Sequence, residues 1–282
     1  RRGIRKLAWE LLSLQAMRLS VSGFAYSLDT DWQKQFEENF PFTETPGQLK
    51  STQEVKLDME SPKPMDRLLC GDVGYGKTEV AMRSAFKALM DNKQVAYLVP
   101  TTILAEQHYQ NFSQRLKDFP INIQMLSRFK TKAEQEEIVL GIAEGSVDIV
   151  IGTHRLLSDD VKFKELGLVI IDEEQRFGVK AKEKLKAMRL SCDVLTLTAT
   201  PIPRTLYMSL MGAKDLSVIN TPPQNRLPIK TIVVEYDQDI IRQAILRELE
   251  RKGQVYFVHN RIHDIEKVEE KIARLLPSNV KI

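Results

Sequence analysis

A short glycine-rich run in the first third of the chain has the spacing of a phosphate-binding loop. Residues 71–78 read Gly-Asp-Val-Gly-Tyr-Gly-Lys-Thr, which fits the pattern Gly-x-x-x-x-Gly-Lys-Thr. Glycines let the backbone curl so that its N–H groups face a phosphate. We expect Lys77 to reach the β- and γ-phosphates of a nucleoside triphosphate, and Thr78 to bind Mg²⁺. The predicted ATP-binding residues of this loop are Gly71, Asp72, Val73, Gly74, Tyr75, Gly76, Lys77 and Thr78.

An acidic string follows a second apolar run, Leu166–Ile171, and reads Asp-Glu-Glu-Gln at residues 172–175. Hydrolysis of ATP needs one carboxylate near the metal and one that positions or deprotonates the attacking water. We expect Asp172 to hold Mg²⁺ and Glu173 to act on the water. The alternative is a pair of charges stabilised at the start of a helix. Because both strings occur in this order, they predict an ATP-hydrolysing site with Lys77, Asp172 and Glu173 as its catalytic residues.

Polar strings also follow three other strand-like runs, at residues 100–102, 152–155 and 198–204. Loops after parallel strands share one edge of a sheet, where ligands bind. Their hydroxyls and N–H groups suit the oxygens of a nucleic-acid backbone, although each string alone also fits an ordinary turn or helix cap. The candidate DNA-binding residues are Thr101, Thr102, Thr153, His154 and Arg155. Thr198, Thr200 and Arg204 are candidates for linking the nucleotide site to a second domain.

Apolar runs alternate with helical patterns from about residue 65 to residue 219, which predicts an α/β fold with a parallel sheet covered on both faces. We expect a linker helix and connector at 1–29, an ATP-binding domain at 30–223 and the start of a second α/β domain at 224–282. The last part predicts strands at 231–234 and 254–258, each followed by a helix. A sheet of so few strands cannot bury its faces, so we expect the chain to be a fragment of a longer protein.

The composition is that of a water-soluble globular protein with a net charge of +3, which neither requires nor excludes nucleic-acid binding. No run approaches the roughly 20 apolar residues of a membrane-spanning helix, and no signal peptide is evident. We therefore expect a cytoplasmic protein with no membrane contact. The two cysteines, Cys70 and Cys192, are expected to be buried thiols.

These strings, in this order, resemble the motifs of superfamily 2 helicases, with a Q-motif at Phe42–Gln48. The detailed match is to the motor region of the transcription-repair coupling factors, which are related to RecG. The residues that carry this resemblance are Met65–Arg83, Ser127–Phe129, Asp172–Val179 and Thr196–Leu206. It implies a pair of RecA-like domains, of which the second is partial here. It also implies an ATP-driven double-stranded DNA translocase that displaces stalled RNA polymerase and recruits excision repair.

By the same resemblance, Gln48 contacts adenine with support from Thr45, and Gln175 takes part in coupling. RNA polymerase and the excision-repair proteins are partners through modules absent from these residues. Three departures matter: the Q-motif order differs from that of DEAD-box proteins, Gln175 stands where related motors often have His, and nothing here matches the second-domain arginine finger. We therefore expect ATP binding with little turnover.

Three other functions fit parts of the sequence. A RecG-type fork-remodelling helicase shares the motifs, but Ser127–Phe129 and Met65–Arg83 favour the coupling factors. A non-hydrolysing ATP-binding scaffold would not need Lys77, Asp172 and Glu173 together. A metabolic kinase would not need the three polar strings at 100–102, 152–154 and 198–200 on one sheet edge.

Overall fold

The computed structural model describes residues 22–189, 192–199, 215–224, 231–278 and 280–282. The contacts divide the chain into two compact units between Arg226 and Leu227. The sequence also predicts a helix at 204–211. That helix, the predicted N-terminal helix, and the candidate residues Thr200 and Arg204 lie outside the described residues. Among the described helices, none is both long and apolar enough to cross a membrane.

A parallel sheet organises the first unit. Its strands are β1 (Asp66–Gly71), β2 (Gln94–Leu98), β3 (Ile123–Leu126), β4 (Ile149–Gly152), β5 (Leu166–Asp172), β6 (Asp193–Thr198) and β7 (Asp215–Ile219). The order across the sheet is β3-β4-β2-β5-β6-β1-β7, and every pair is parallel. This arrangement confirms the predicted parallel α/β fold, because strands buried on both faces read as continuous apolar runs.

Helices alternate with the strands of this unit, as the sequence predicts. They are α1 (Asp31–Glu38), α2 (Pro46–Met59), α3 (Lys77–Met90), α4 (Thr102–Arg115), α5 (Lys132–Glu144) and α6 (Val179–Met188). Threonine side chains cap four of them. One apolar core joins the sheet to α2, α3 and α4, and a second core on the other face joins it to α5 and α6. Helices therefore cover both faces of the sheet.

Helix α3, which follows the phosphate loop, buries charged residues at every fourth position. Glu79, Arg83 and Lys87 are all less than 10% exposed. Arg83 pairs with Glu79 at 2.9 Å, and Lys87 Nζ lies 3.0 Å from an oxygen of Asp29. Buried charges are tolerated when they are paired. The pair of Lys87 and Asp29 joins the segment before α1 to the helix that follows the phosphate loop.

The second unit contains α7 (Gln238–Glu250) and α8 (Ile265–Leu275), as predicted. The predicted strands at 231–234 and 254–258 are wrong, because these residues form no strand in the described part of this unit. A strand needs hydrogen bonds from a neighbouring strand, and apolar composition does not supply them. Val233 is 92% exposed and Tyr256 is 94% exposed. Side chains typical of a buried strand are therefore open to solvent.

Candidate nucleotide-binding and catalytic site

The order of the strands brings the phosphate loop and the acidic string together. Strand β6 lies between β5, which ends at Asp172, and β1, which leads into the loop at Gly71. Cys70 is level with Thr198, and Asp172 is level with Leu197. Parallel strands end at the same edge of a sheet, which is where ligands bind in open α/β folds. The loop, the acid pair and Thr198 therefore share one edge.

The phosphate loop has the backbone geometry of an anion cradle. Gly74 and Gly76 have φ angles of 80° and 82°, which are left-handed values that favour glycine. Helix α3 begins at Lys77 directly after Gly76, and no side chain caps its first N–H groups. Uncapped N–H groups at a helix start attract phosphate. Lys77 Nζ donates to the carbonyl oxygens of Gly71 at 2.6 Å and Asp72 at 3.1 Å, so it lies along the same loop.

The charges around Lys77 fit a metal–nucleotide complex. Burial lowers the pKa of Lys77, while the carboxylates of Asp172 and Glu173 act against that shift. The acid pair is therefore close enough to interact with the ammonium group. The hydroxyl of Thr78 and the carboxylate of Asp172 are oxygen ligands, which Mg²⁺ prefers. The residues present fit the binding of ATP with Mg²⁺.

Gln48 is buried and uses both ends of its amide. Its Oε1 accepts from the backbone N–H of Thr45 at 2.9 Å, and its Nε2 donates to the carbonyl oxygen of Tyr75 at 2.9 Å. Thr45 in turn caps α2, so the two residues form a capping box. The spacing Thr-x-x-Gln is a sequence signal for this arrangement. Gln48 braces the phosphate loop, and its contact with adenine stays a prediction.

Glu173 joins the acidic string to the string after β6. Its backbone is left-handed, with φ of 52°, a conformation that costs about 1–2 kcal/mol for a residue other than glycine. The side chain accepts from the backbone N–H of Ala199 at 2.8 Å and from the amide of Gln175. Thr198, the residue before Ala199, has a buried hydroxyl with no hydrogen-bond partner among the described residues. The predicted coupling residues Gln175 and Thr198 thus lie beside Glu173, whose catalytic role stays a prediction.

Two residues that contact the acidic string, Arg189 and His108, are not marked by the sequence. Arg189 pairs with Glu174 at 2.8 Å, although the position of Glu174 in the sequence fits a solvent-facing charge equally well. His108, on α4, is 7% exposed, and its Nε2 lies 3.4 Å from Oδ2 of Asp172. Both contacts join residues far apart in the chain, so only the fold reveals them.

The five candidate DNA-binding residues line one cleft of about 420 Å³, at the edge where β2 and β4 end. Pro100, Arg128 and Gln135 complete the lining. Arg155 is held by Asp160, which accepts from both terminal nitrogens at 2.8 and 2.6 Å. Arg128 is exposed, with its guanidinium 5.8 Å from the centre of the Phe129 ring. The sequence prediction missed Arg128 as a cleft residue, although it marked Ser127–Phe129.

Comparison with known proteins agrees with this geometry. The curated relatives include transcription-repair-coupling factors of Bacillus subtilis (strain 168), 60% identical, and of Staphylococcus aureus (strain USA300), 54% identical. Both alignments cover 97% of this chain, but 23% and 24% of the relatives. The chain thus spans about a quarter of the length of these relatives.

Solved structures show the same fold. A RecG protein bound to a three-way DNA junction is 34% identical with a TM-score of 0.77, over 94% of this chain and 37% of that one. The helicase MrfA bound to DNA is 15% identical with a TM-score of 0.65, over 92% of this chain and 41% of that one. The model of the DEAD/DEAH box helicase family matches residues 45–209. With its phosphate loop and acid pair at one sheet edge, the chain belongs to the DEAD/DEAH box helicase family.

Proposed function

We propose that this chain is the ATP-hydrolysing motor segment of a double-stranded DNA translocase of the transcription-repair coupling type. The observation that carries this proposal is the single sheet edge shared by Lys77, Asp172 and Glu173. Relatives at 54–60% identity support the coupling-factor assignment. RNA polymerase and excision-repair proteins are the partners we propose for the whole protein. Because DNA and RNA polymerase are its proposed partners, we propose a cytoplasmic location for the whole protein.

The reaction is ATP + water to ADP + phosphate. Lys77 and the N–H groups of the loop hold the β- and γ-phosphates. Gln48, supported by Thr45, contacts the adenine base. Thr78 and Asp172 hold Mg²⁺, which when bound neutralises charge on the phosphate oxygens. Glu173 orients the attacking water and takes its proton. The hydrogen bond from the Ala199 N–H to Glu173 transmits a movement of this carboxylate to residues 198–204, which include Thr198.

We propose that the cleft lined by Thr101, Thr153 and Arg128 binds the phosphate backbone of duplex DNA. It opens at the same edge as the nucleotide site, because β2, β4 and β5 are adjacent parallel strands. Hydroxyls and a guanidinium contact phosphates without reading sequence. A motor that travels along many sequences needs this kind of contact.

We also propose that these 282 residues by themselves hydrolyse ATP slowly. No residue among them matches the arginine finger that the helicase resemblance implies. In phosphoryl-transfer enzymes such an arginine contributes roughly 10³–10⁵ in rate. Single-turnover assays with excess protein are therefore suited to this chain.

A second candidate is a RecG-type fork-remodelling helicase, which the likeness to the RecG structure favours. A complete protein containing this segment separates the two. A coupling-type translocase removes a third strand from a triplex on linear duplex DNA when ATP is present, without needing a fork. Activity on three-way junctions but not on the triplex would support the RecG-type function. Loss of triplex removal in Lys77→Ala would tie the activity to the ATP site.

A further inference from the structure

His108 is placed against the carboxylate that the proposed function assigns to Mg²⁺. Its Nε2 lies 3.4 Å from Oδ2 of Asp172. The side chain of Asp172 is 16% exposed and that of His108 is 9% exposed, so little water separates them. A contact of this kind changes little in strength with salt, since the pair is shielded from solvent.

The orientation of the His108 imidazole is restricted by the aromatic residue packed against it. The ring of Tyr97, which is fully buried on β2, is 4.6 Å from the His108 ring between centroids. Phe112, one helical turn further along α4, packs edge-on against the same tyrosine. Nδ1 of His108 has no hydrogen-bond partner among the described residues. The Tyr97 ring packs against the imidazole, Phe112 supports that tyrosine, and Nε2 is the nitrogen on the side of the acidic string.

A buried polar ring is costly unless it makes a polar contact. An apolar residue would fill this place in the core without that cost. The one polar contact that the described residues give His108 is with Asp172. Carboxylates that bind metals are oriented by such neighbouring donors.

We propose that His108 is a positioning residue for Asp172, holding its carboxylate so that one oxygen faces Mg²⁺ bound with ATP. This inference rests on the proposed function. Helix α4 begins at Thr102, in the DNA cleft, and carries His108 to the metal site. The same helix thus contributes to both proposed sites.

The test measures the affinity of the chain for ATPγS by calorimetry, once with excess Mg²⁺ and once with EDTA. His108→Ala is expected to weaken binding in Mg²⁺ about 10-fold, the lower end of the range for residues that orient metal ligands. Its affinity in EDTA is expected to match that of the unmodified chain. Gln107→Ala, an exposed neighbour on α4, is the matched control and should change neither value.

A second pair of variants covers the case in which His108→Ala does not fold. In His108→Gln the amide nitrogen lies near the place of Nε2, whereas in His108→Asn it lies near Nδ1. We expect the glutamine variant to bind more tightly than the asparagine variant in Mg²⁺, and equally in EDTA. Equal affinities in Mg²⁺, or equal losses in both buffers, would overturn the positioning role. Absence of any Mg²⁺ effect in the unmodified chain would instead contradict the proposed function.

Discussion

Glu173 is held by two neighbours in a backbone conformation that is unfavourable for glutamate. The bonds from Ala199 and Gln175 leave its carboxylate fixed at the end of β5. Strained residues of this kind persist where the surrounding structure holds them, and they are common at active sites. Strain at Glu173 fits the role we propose for it, in which the position of the carboxylate decides how it meets the attacking water.

Glu173→Gln is expected to lower single-turnover hydrolysis about 10²–10⁴-fold, the usual contribution of a general base. Affinity for ATP should stay within a few-fold, because the amide oxygen still accepts from Ala199 and no phosphate contact is removed. Radiolabelled ATP with excess protein measures the rate, and calorimetry measures the affinity. Glu183→Gln, at an exposed position on α6, is the control. Unchanged hydrolysis would contradict the role of Glu173 as the residue that acts on the attacking water.

Gly76→Ala is expected to destabilise the chain by at least about 1 kcal/mol, because alanine is unfavourable at a left-handed φ. A Cβ at this position would also lie 2.2 Å from Nε2 of Gln48. Urea unfolding measures the change, and nucleotide affinity should fall with it. Gly178→Ala is the control, since no atom lies within 4 Å of its Cβ. Equal stability of the two variants would contradict the described loop.

The sequence predicts the residues of this site better than it predicts their contacts. The spacing of the phosphate loop identifies Lys77 and Thr78 because the chemistry lies within one local string. His108 and Arg189 reach the acidic string from other elements, so no local pattern marks them. For Gln48 the sequence marks only one of two contacts. Its capping box with Thr45 is local, whereas its hydrogen bond to Tyr75 is not.

Among the elements, α3 differs most from a simple sequence reading. Its pattern predicts small and apolar residues on one side, but the structure buries every position from Glu79 to Ala88, including three charged residues. Periodicity assigns charged positions to solvent, and only tertiary ion pairs reverse that assignment. The predicted strands at 231–234 and 254–258 failed for the opposite reason, because apolar composition was present without a pairing partner.

Asp29 offers a test of the ion pairs that join the first described segment to α3. Burial raises the pKa of Asp29, but hydrogen bonds from Lys56 and Lys87 lower it by more than burial raises it. The net pKa is therefore below the ordinary 3.8. A carboxylate with a lowered pKa adds stability above its unfolded pKa and loses it as pH falls through the folded pKa. Asp29→Asn should therefore lower the free energy of unfolding by about 1–3 kcal/mol at neutral pH.

The difference between the unmodified chain and Asp29→Asn should be constant from about pH 7 to about pH 5 and should shrink below about pH 4. Urea titrations across this range measure it. Asp31→Asn is the control, because Asp31 is 96% exposed and pairs with Lys34 at the surface. A difference that grows as the pH falls would contradict the sign of the Asp29 pKa shift.

The strand ends that form the proposed DNA-binding cleft allow a comparison of two arginines, Arg128 and Arg155. Arg128→Ala should weaken duplex binding and reduce the slope of log affinity against log salt by about 0.9, the value for one lost phosphate contact. Arg155→Ala should have a smaller effect, because Asp160 already occupies its guanidinium. Fluorescence anisotropy at several salt concentrations measures both. A larger loss for Arg155→Ala would mean that Arg155 leaves Asp160 when DNA binds.

At the scale of the whole molecule, the alternation of strands and helices was sufficient to predict the parallel sheet. The order of its strands was not predicted, yet that order determines the site, because it sets a single strand between β1 and β5. Most residues that we assign to ATP and DNA follow strands at the carboxyl edge, as open α/β folds require. Gln48 is an exception, because it lies on α2 and reaches the phosphate loop through its hydrogen bond to Tyr75.

The central claim is that Lys77 and the acid pair hold one metal–nucleotide complex. Calorimetric titration of the chain with ATP and Mg²⁺ tests it most directly, with Lys77→Ala as the variant and the exposed Lys63→Ala as the control. We predict saturable binding that weakens about 10- to 100-fold in Lys77→Ala, from the loss of charged hydrogen bonds to phosphate, and not in Lys63→Ala. No binding by the folded chain, or equal affinity in Lys77→Ala, would contradict the account.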